Sequence, residues 1–381
     1  MGGALVASIN DPSAIHLNPA GLSFMQGTHL SIGTTIFLPD TRFTGVAPST
    51  ETTKMLSQVL FPPDLYITHT LTNGVGLGFA VFVPYALNTG WNPDWVGGRI
   101  ATSSEMRTYF FTPTVSVLLS PDLAIGAGVN FVTTNLQLGQ RIALGSAGAG
   151  TDGTESLQGN SKLEYGFQAG IVYHPSPAWS IGAAYRSRVD LDIDNGTAVF
   201  TDLPASLSEQ YPNTSVSTWI PTPDGVRLGI CWMPLHRMVL EADLDYVRWS
   251  LFKTLTIHFD DPGLADIVLP EQWKNSTTAR FGFEFGGSDL LVRGGVFYDQ
   301  SPIRDEYLRP LLPDADKTGY SIGIGARVGE GMQLDFTYLY IRYHDRTVTH
   351  SSVEYQPGQP FNGTYATFTN VIGLNVTYYW D

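Results

Sequence analysis

The side chains able to do chemistry in this sequence are charged groups spaced two apart, and they are not the sets that an enzyme needs. The eight His are scattered without H-E-x-x-H spacing, and no G-x-S-x-G elbow occurs. The lone Cys231 excludes an intrachain disulfide and reads as a small buried apolar residue. Catalysis is not expected. "DLDIDNG", residues 190–196, approaches a calcium loop through Asp190, Asp192 and Asp194, but Gly196 comes one place late and the twelfth position is Thr201 instead of Glu. Neither a metal nor a cofactor is expected. What remains is a set of arginines, Arg99, Arg141, Arg186, Arg280 and Arg293, and a set of carboxylates, Glu241, Asp243, Glu284, Asp299 and Asp335. Either the arginines pair with the carboxylates, or one of them holds an anionic ligand.

The elements that carry these charges are strands. Ala279, Phe281, Phe283 and Phe285 alternate with Arg280, Gly282, Glu284 and Gly286; Trp179, Ile181, Ala183 and Tyr185 with Ser180, Gly182, Arg186 and Arg188; Leu240, Ala242, Leu244 and Tyr246 with Glu241, Asp243 and Asp245. Fourteen such segments begin near Thr28, Leu65, Gly76, Met106, Leu123, Leu163, Trp179, Gly225, Met238, Thr277, Leu290, Gly319, Met332 and Ala366. Tight turns at 73–74, 121–122, 174–178, 234–235, 286–289 and 329–331 alternate with long connections at 39–62, 85–105, 139–160, 189–221, 260–272, 300–316 and 347–363. Short turns on one side and long loops on the other, with an even strand number, are the pattern of an outer-membrane β-barrel. A charge facing lipid at mid-membrane costs about 2–4 kcal/mol, which assigns the charged face to the lumen. Tyr109, Trp179, Trp249, Tyr340 and Tyr378, near strand ends, are read as interfacial aromatics. No apolar run is long enough for a membrane-crossing helix. The net charge of -14 argues against a nucleic-acid partner. Met1 runs straight into "GGALVAS" without the pattern of a secretory leader, so an exported protein is expected to have had its true N-terminus removed or misassigned.

"DPSAIHLNPAGL" at residues 11–22 does not fit the strand pattern, since Asn18-Pro19 starts a turn and proline cannot donate to a ladder. This stretch, "PYALNTGWNPDWVGG", "YGFQAGIVYHPSPAWSIGAAYRSRVDLDID", "YVRWSLF", "RGGVFYDQSPI" and "LLPDADKTGYSIGIG" resemble, in order, segments of the FadL family of outer-membrane transporters for long-chain fatty acids and other hydrophobic compounds, and the final "GLNVTYYWD" resembles the terminal strand of outer-membrane barrels. Asp381 after the final aromatic departs from the usual ending. The resemblance implies an all-β, fourteen-stranded antiparallel transmembrane barrel over residues 26–381. It also implies a hatch over residues 1–25, shorter than the family's, with Asn18, Pro19 and Ala20 inside the lumen. Substrate would be captured among the long extracellular loops, where Leu203, Leu207 and Trp219 offer apolar surface. It would pass to a pocket beside the hatch and leave sideways through a kinked third strand, where Gly76, Gly78 and Pro84 permit a break. Arg141 falls near a basic residue of the family's head-group site, with Arg99 and Arg186 as further candidates. The expected partners are a long-chain fatty acid, or alternatively a monoaromatic hydrocarbon, and outer-membrane lipid; the expected state is a monomer. An open general porin is a different class, and the Asn-Pro-Ala plug argues against it.

Overall fold

The period-two alternation is realised as fourteen antiparallel strands that close on themselves. The computed structural model describes residues 1–8, 11–46, 50–144, 152–287, 289–329 and 331–380; Asp381 and parts of the turns at 286–289 and 329–331 lie outside them. The barrel strands are β1 Gly27–Gly45, β2 Pro63–Thr70, β3 Val75–Gly90, β4 Ser103–Ser120, β5 Leu123–Ala143, β6 Glu164–Ser176 and β7 Trp179–Arg186. They continue as β8 Gly225–Leu235, β9 Met238–Val247, β10 Ser276–Gly286, β11 Leu290–Asp299, β12 Lys317–Arg327, β13 Met332–Tyr343 and β14 Gly363–Trp380. Each pairs with the next, and β1 pairs with β14 from Thr28↔Trp380 to Gly45↔Gly363, which removes both sheet edges. Closure is obligatory in lipid, where no water satisfies an unpaired backbone group. At the Asn73-Gly74 turn, Gly74 supplies φ +79 and the Asn73 side chain accepts from the Val75 N–H.

Side-chain polarity follows the expected faces. Ile181, Leu228, Ile230, Leu244, Phe281 and Phe283 are exposed on the outer wall, while Ser180, Glu241, Asp243 and Asp245 are buried inside. Trp179 stacks on Trp232 on that outer wall at 5.9 Å between ring centroids.

Above the rim, three expectations are overturned. The connection 189–221 is mostly strand: Val189–Thr201 and Thr214–Thr222 pair with each other, with Asp152–Asn160 and with Thr254–Phe259, and so extend the sheet beyond the barrel. Here Val189, Leu191 and Ile193 are buried, whereas Asp190, Asp192 and Asp194 are exposed. The aspartates therefore point outward and not into the lumen. Arg188, expected beside Arg186, also lies outside, paired with Asp190 at 2.6 Å and over the Trp219 ring. The phase slips at Ser187, whose Oγ takes the Phe167 N–H in place of a ladder carbonyl. Beyond the hydrocarbon an outward charge costs little, so apolar side chains turn inward. Trp249 likewise is no interfacial anchor: it packs inward, on Trp273 at 4.9 Å and Tyr85 at 6.0 Å.

An arginine at Phe281, on the lipid face, should destabilise the barrel by about 2–4 kcal/mol, and one at Phe285, beside the turn, by about 0–1 kcal/mol. Urea unfolding from lipid vesicles measures both; equal costs would put the two positions at the same depth and contradict the assigned face.

Candidate functional site

Residues 1–8 and 11–25 precede the first strand and lie against the inside of the wall. Ala14–Leu17 forms one helical turn and Pro19–Phe24 a 3-10 helix, with Pro19 at a first-turn position where its missing N–H costs nothing. Asn18 between them is fully buried. Its Nδ2 donates to the carbonyls of Val6 (2.8 Å) and Ile171 (3.1 Å), and its Oδ1 accepts from the Ala20 N–H. The segment comes so close to the wall that a Cβ at Gly170 would stand 2.0 Å from Asn18 Oδ1, and one at Gly126 2.5 Å from the Pro19 carbonyl carbon. Residues 5–8 are held by carboxylates of β9. Asp243 accepts from the Leu5 and Val6 N–H groups at 2.8 and 3.1 Å, and Glu241 accepts from Ala7 at 2.6 Å and from Ser8.

The glycines at 76 and 78 serve this packing instead of a break. Both sit in regular ladder, where a Cβ would meet Leu22 and Ile15 respectively. The ladder breaks at Val83-Pro84, between Phe82↔Phe110 and Tyr85↔Thr108. On its other side β3 pairs with β2 only up to Val81↔Leu65, and β1 pairs with β2 only up to Thr34↔Pro63. Pro62, Pro63 and Pro84 all lack the N–H that would continue these ladders. The tandem proline is the sequence signal for this gap.

A cavity of about 460 Å³ lies at the gap, lined by Pro62, Pro63, Val83, Pro84, Ala86 and Leu87 at the wall and by Phe37, Ile341 and Tyr343 across it. Its floor includes Phe82 and His16, and its charged lining groups are Asp64 and Asp314. Met55 and Leu312 link it to an apolar cap built from Phe43, Trp91, Trp95, Phe252, Trp273, Leu308 and Phe361, in which Trp91 and Trp95 stack at 4.2 Å. Glu271 is buried in this cap between Trp273 Nε1 (2.8 Å) and Arg309 (3.5 Å), and burial pushes its carboxyl up to about 7.

The candidate cations separate cleanly. Arg99 binds Asp152 through two hydrogen bonds of 2.7 and 2.9 Å, and these hold the Asp152 carboxyl below its usual range. Arg141 pairs with Asp94 at 2.6 Å and stands 3.7 Å from Asp152. Arg280 pairs with Asp245, and Arg293 with Glu284 and Asp335. Arg186 is different. Among the described residues no carboxylate stands within ion-pair distance of it, and its Nε is buried without a partner. Its guanidinium lies 5.7 Å from the Phe82 and Phe110 ring centroids, and its Nη2 donates to His16 Nδ1 (3.0 Å) and to the His16 carbonyl (2.7 Å). A second cavity of about 70 Å³ is lined by Arg186, Arg227, Tyr85, Gln168 and Asp245, and His16 lines both cavities. Asp245 is the one acid there, 3.9 Å from Arg227 and shared with Arg280.

Leu203 joins Arg141, Asp94, Asp152 and Asp202 around an outer hollow of about 530 Å³; Leu207 is buried and Trp219 exposed elsewhere. Of the sequence candidates, Arg186 and Pro19 line the smaller inner cavity and Pro84 the larger. His16, Tyr85 and Arg227 were missed. His16 stood inside the quoted turn motif, but a histidine in a turn carries no sign of what lies across a lumen. Among the described residues no cluster of His, Cys, Asp or Glu is suited to a metal ion.

Residues 1–380 match the family described as outer membrane protein transport protein (OMPP1/FadL/TodX). The long-chain fatty acid transport protein of Salmonella typhi is 22% identical over 377 residues, spanning 92% of this chain and 85% of its own. A Pseudomonas aeruginosa FadL homologue superposes with a TM-score of 0.89 at 20% identity, covering 99% of this chain and 96% of the homologue. The toluene transporter TodX of Pseudomonas putida gives 0.75 at 18% identity, covering 97% and 94%.

The folded carboxyl of Glu271 titrates above the unfolded value of 4.5, so the stability it lends the cap is complete below that value and lost as pH rises through about 7. Hydrogen-exchange protection at Phe252 and Trp273, relative to the intrinsic rate at each pH, should fall between about pH 5 and about pH 8, and Glu271→Gln should flatten the dependence. Equal protection at both values in the unaltered protein would contradict this.

Proposed function

This chain belongs to the OMPP1/FadL/TodX family of outer membrane transport proteins, and from that premise we propose that it takes up long-chain fatty acids across the bacterial outer membrane as a monomer. The family consists of transport channels, not enzymes. The observation that carries the substrate is Arg186, a guanidinium enclosed by the barrel without a carboxylate partner among the described residues. An enclosed charge is costly unless paired, so the site favours an anion. In this reading the acid head group binds Arg186 and Arg227 in the small cavity, and the acyl chain occupies the apolar part of the larger one. Capture begins among the extracellular loops, at the hollow where Leu203 lies. Residues 1–25 act as the hatch, and the chain leaves sideways through the gap at Pro62, Pro63 and Pro84. Lateral exit is favoured because each CH₂ kept out of water is worth about 0.8 kcal/mol.

A second reading is uptake of neutral monoaromatic hydrocarbons. It is favoured by the larger cavity itself, whose charged groups are the acids Asp64 and Asp314.

Equilibrium binding of a long-chain acid and its matching alcohol to the detergent-purified protein separates the two. The acid should bind more tightly, and Arg186→Gln should weaken acid binding by about 10- to 150-fold, the worth of hydrogen bonds to a charged group, with the alcohol little changed. Equal binding of acid and alcohol would move the assignment to hydrocarbons. Ala86, exposed and also lining the larger cavity, tests the exit: Ala86→Trp should slow uptake by vesicles by a larger factor than it weakens binding in detergent. Unchanged uptake would exclude this gap as the route.

A further inference from the structure

The donors around Arg186 are not idle in this structure. Arg186 Nη2 donates to both the ring Nδ1 and the carbonyl oxygen of His16, and Arg227 Nη1 donates to the same oxygen at 3.2 Å. Gln168 Nε2 adds a hydrogen bond to the neighbouring carbonyl of Ile15. One oxygen that receives two guanidinium donors, with a second acceptor beside it, is the arrangement a carboxylate would present. Burial, reinforced by the charges of Arg186, Arg227 and Arg280, keeps the His16 imidazole well below its usual range. It is therefore neutral and accepts through Nδ1. His16 also stands in the wall common to both cavities, with its ring edge on Phe82 at 4.5 Å between centroids. A head group moving from the larger cavity to the arginines must replace it.

We infer that His16 is a specificity-determining residue: its ring and carbonyl stand in for the substrate carboxylate at Arg186 and Arg227, and only an anionic head group displaces them and loosens residues 14–18. This rests on the head-group assignment above. Hydrogen bonds to an ionised carboxylate are roughly twice as strong as those to a neutral acceptor, so a carboxylate outcompetes the His16 carbonyl and a hydroxyl only matches it. By reciprocity, whatever weakens the His16 seat strengthens acid binding by the same factor. The bonds of Asn18 to the Val6 and Ile171 carbonyls, and those of Asp243 and Glu241 to residues 5–8, do not involve Arg186 or Arg227, so release at His16 is local.

The test compares acid with alcohol affinity in the unaltered protein, in His16→Ala and in Gln168→Leu, with heat-modifiability confirming that each barrel is folded. Amide hydrogen exchange over residues 14–18 is followed with each ligand. The acid-to-alcohol affinity ratio should rise on the order of tenfold in His16→Ala and by less in Gln168→Leu, which loosens the seat without removing the ring. The acid should speed exchange and the alcohol should not. A preference for acid that depends on Arg186, with an unchanged ratio in both variants and unchanged exchange, would overturn the displacement and leave the head-group reading standing. No acid preference in the unaltered protein would sink both.

Discussion

The closed backbone ladder is the constraint on which the rest depends. Lipid offers no partner to a free N–H or C=O, so each strand must pair on both sides and the sheet must meet itself, as β1 and β14 do over their whole length. The ladder ends where a proline removes a donor and the chain compensates nearby. Pro62, Pro63 and Pro84 interrupt the wall between β1 and β3, and the strip at 55–62 keeps only scattered bonds, such as Phe37 with Leu60 and Leu56 with Gly90. The cavity lies against that interruption. This inner cavity and the interrupted stretch of wall are thus one feature, produced by three residues that cannot donate.

A second consequence concerns the lumen. Polar residues excluded from the lipid face must find partners inside, and most do so across neighbouring strands, as Arg293 does with Glu284 and Asp335. Others find them on the N-terminal segment, whose amides are gripped by Asp243 and Glu241 and whose carbonyls are gripped by Arg186, Arg227 and Arg280. Acids hold N–H groups on one part of the segment, and cations hold carbonyls on others. The segment is bound through its backbone, which needs close approach, and glycines at wall positions such as 126 and 170 provide it.

The sequence determined the architecture because the physics behind it is local and repeated. Period-two alternation, a charge-free outer face and short turns alternating with long connections are each written in neighbouring residues, so strand number, closure and the lumen face of Glu241, Asp243, Arg280 and Arg293 were legible. The alternation could not mark where the membrane ends. The same pattern continues through "RSRVDLDID" while the meaning of its faces inverts, because only the surrounding solvent distinguishes an aspartate facing water from one facing a lumen. The tertiary structure also decided which arginine lacks a carboxylate. Arg99, Arg141 and Arg186 look alike in sequence, and what separates them is the acid or carbonyl brought opposite by strands and loops far away along the chain, Asp152 and Asp94 for two of them and His16 for the third. Pairing across a closed barrel is set by register and by the path of the N-terminal segment, which are properties of the whole fold, whereas alternation is a property of each strand alone.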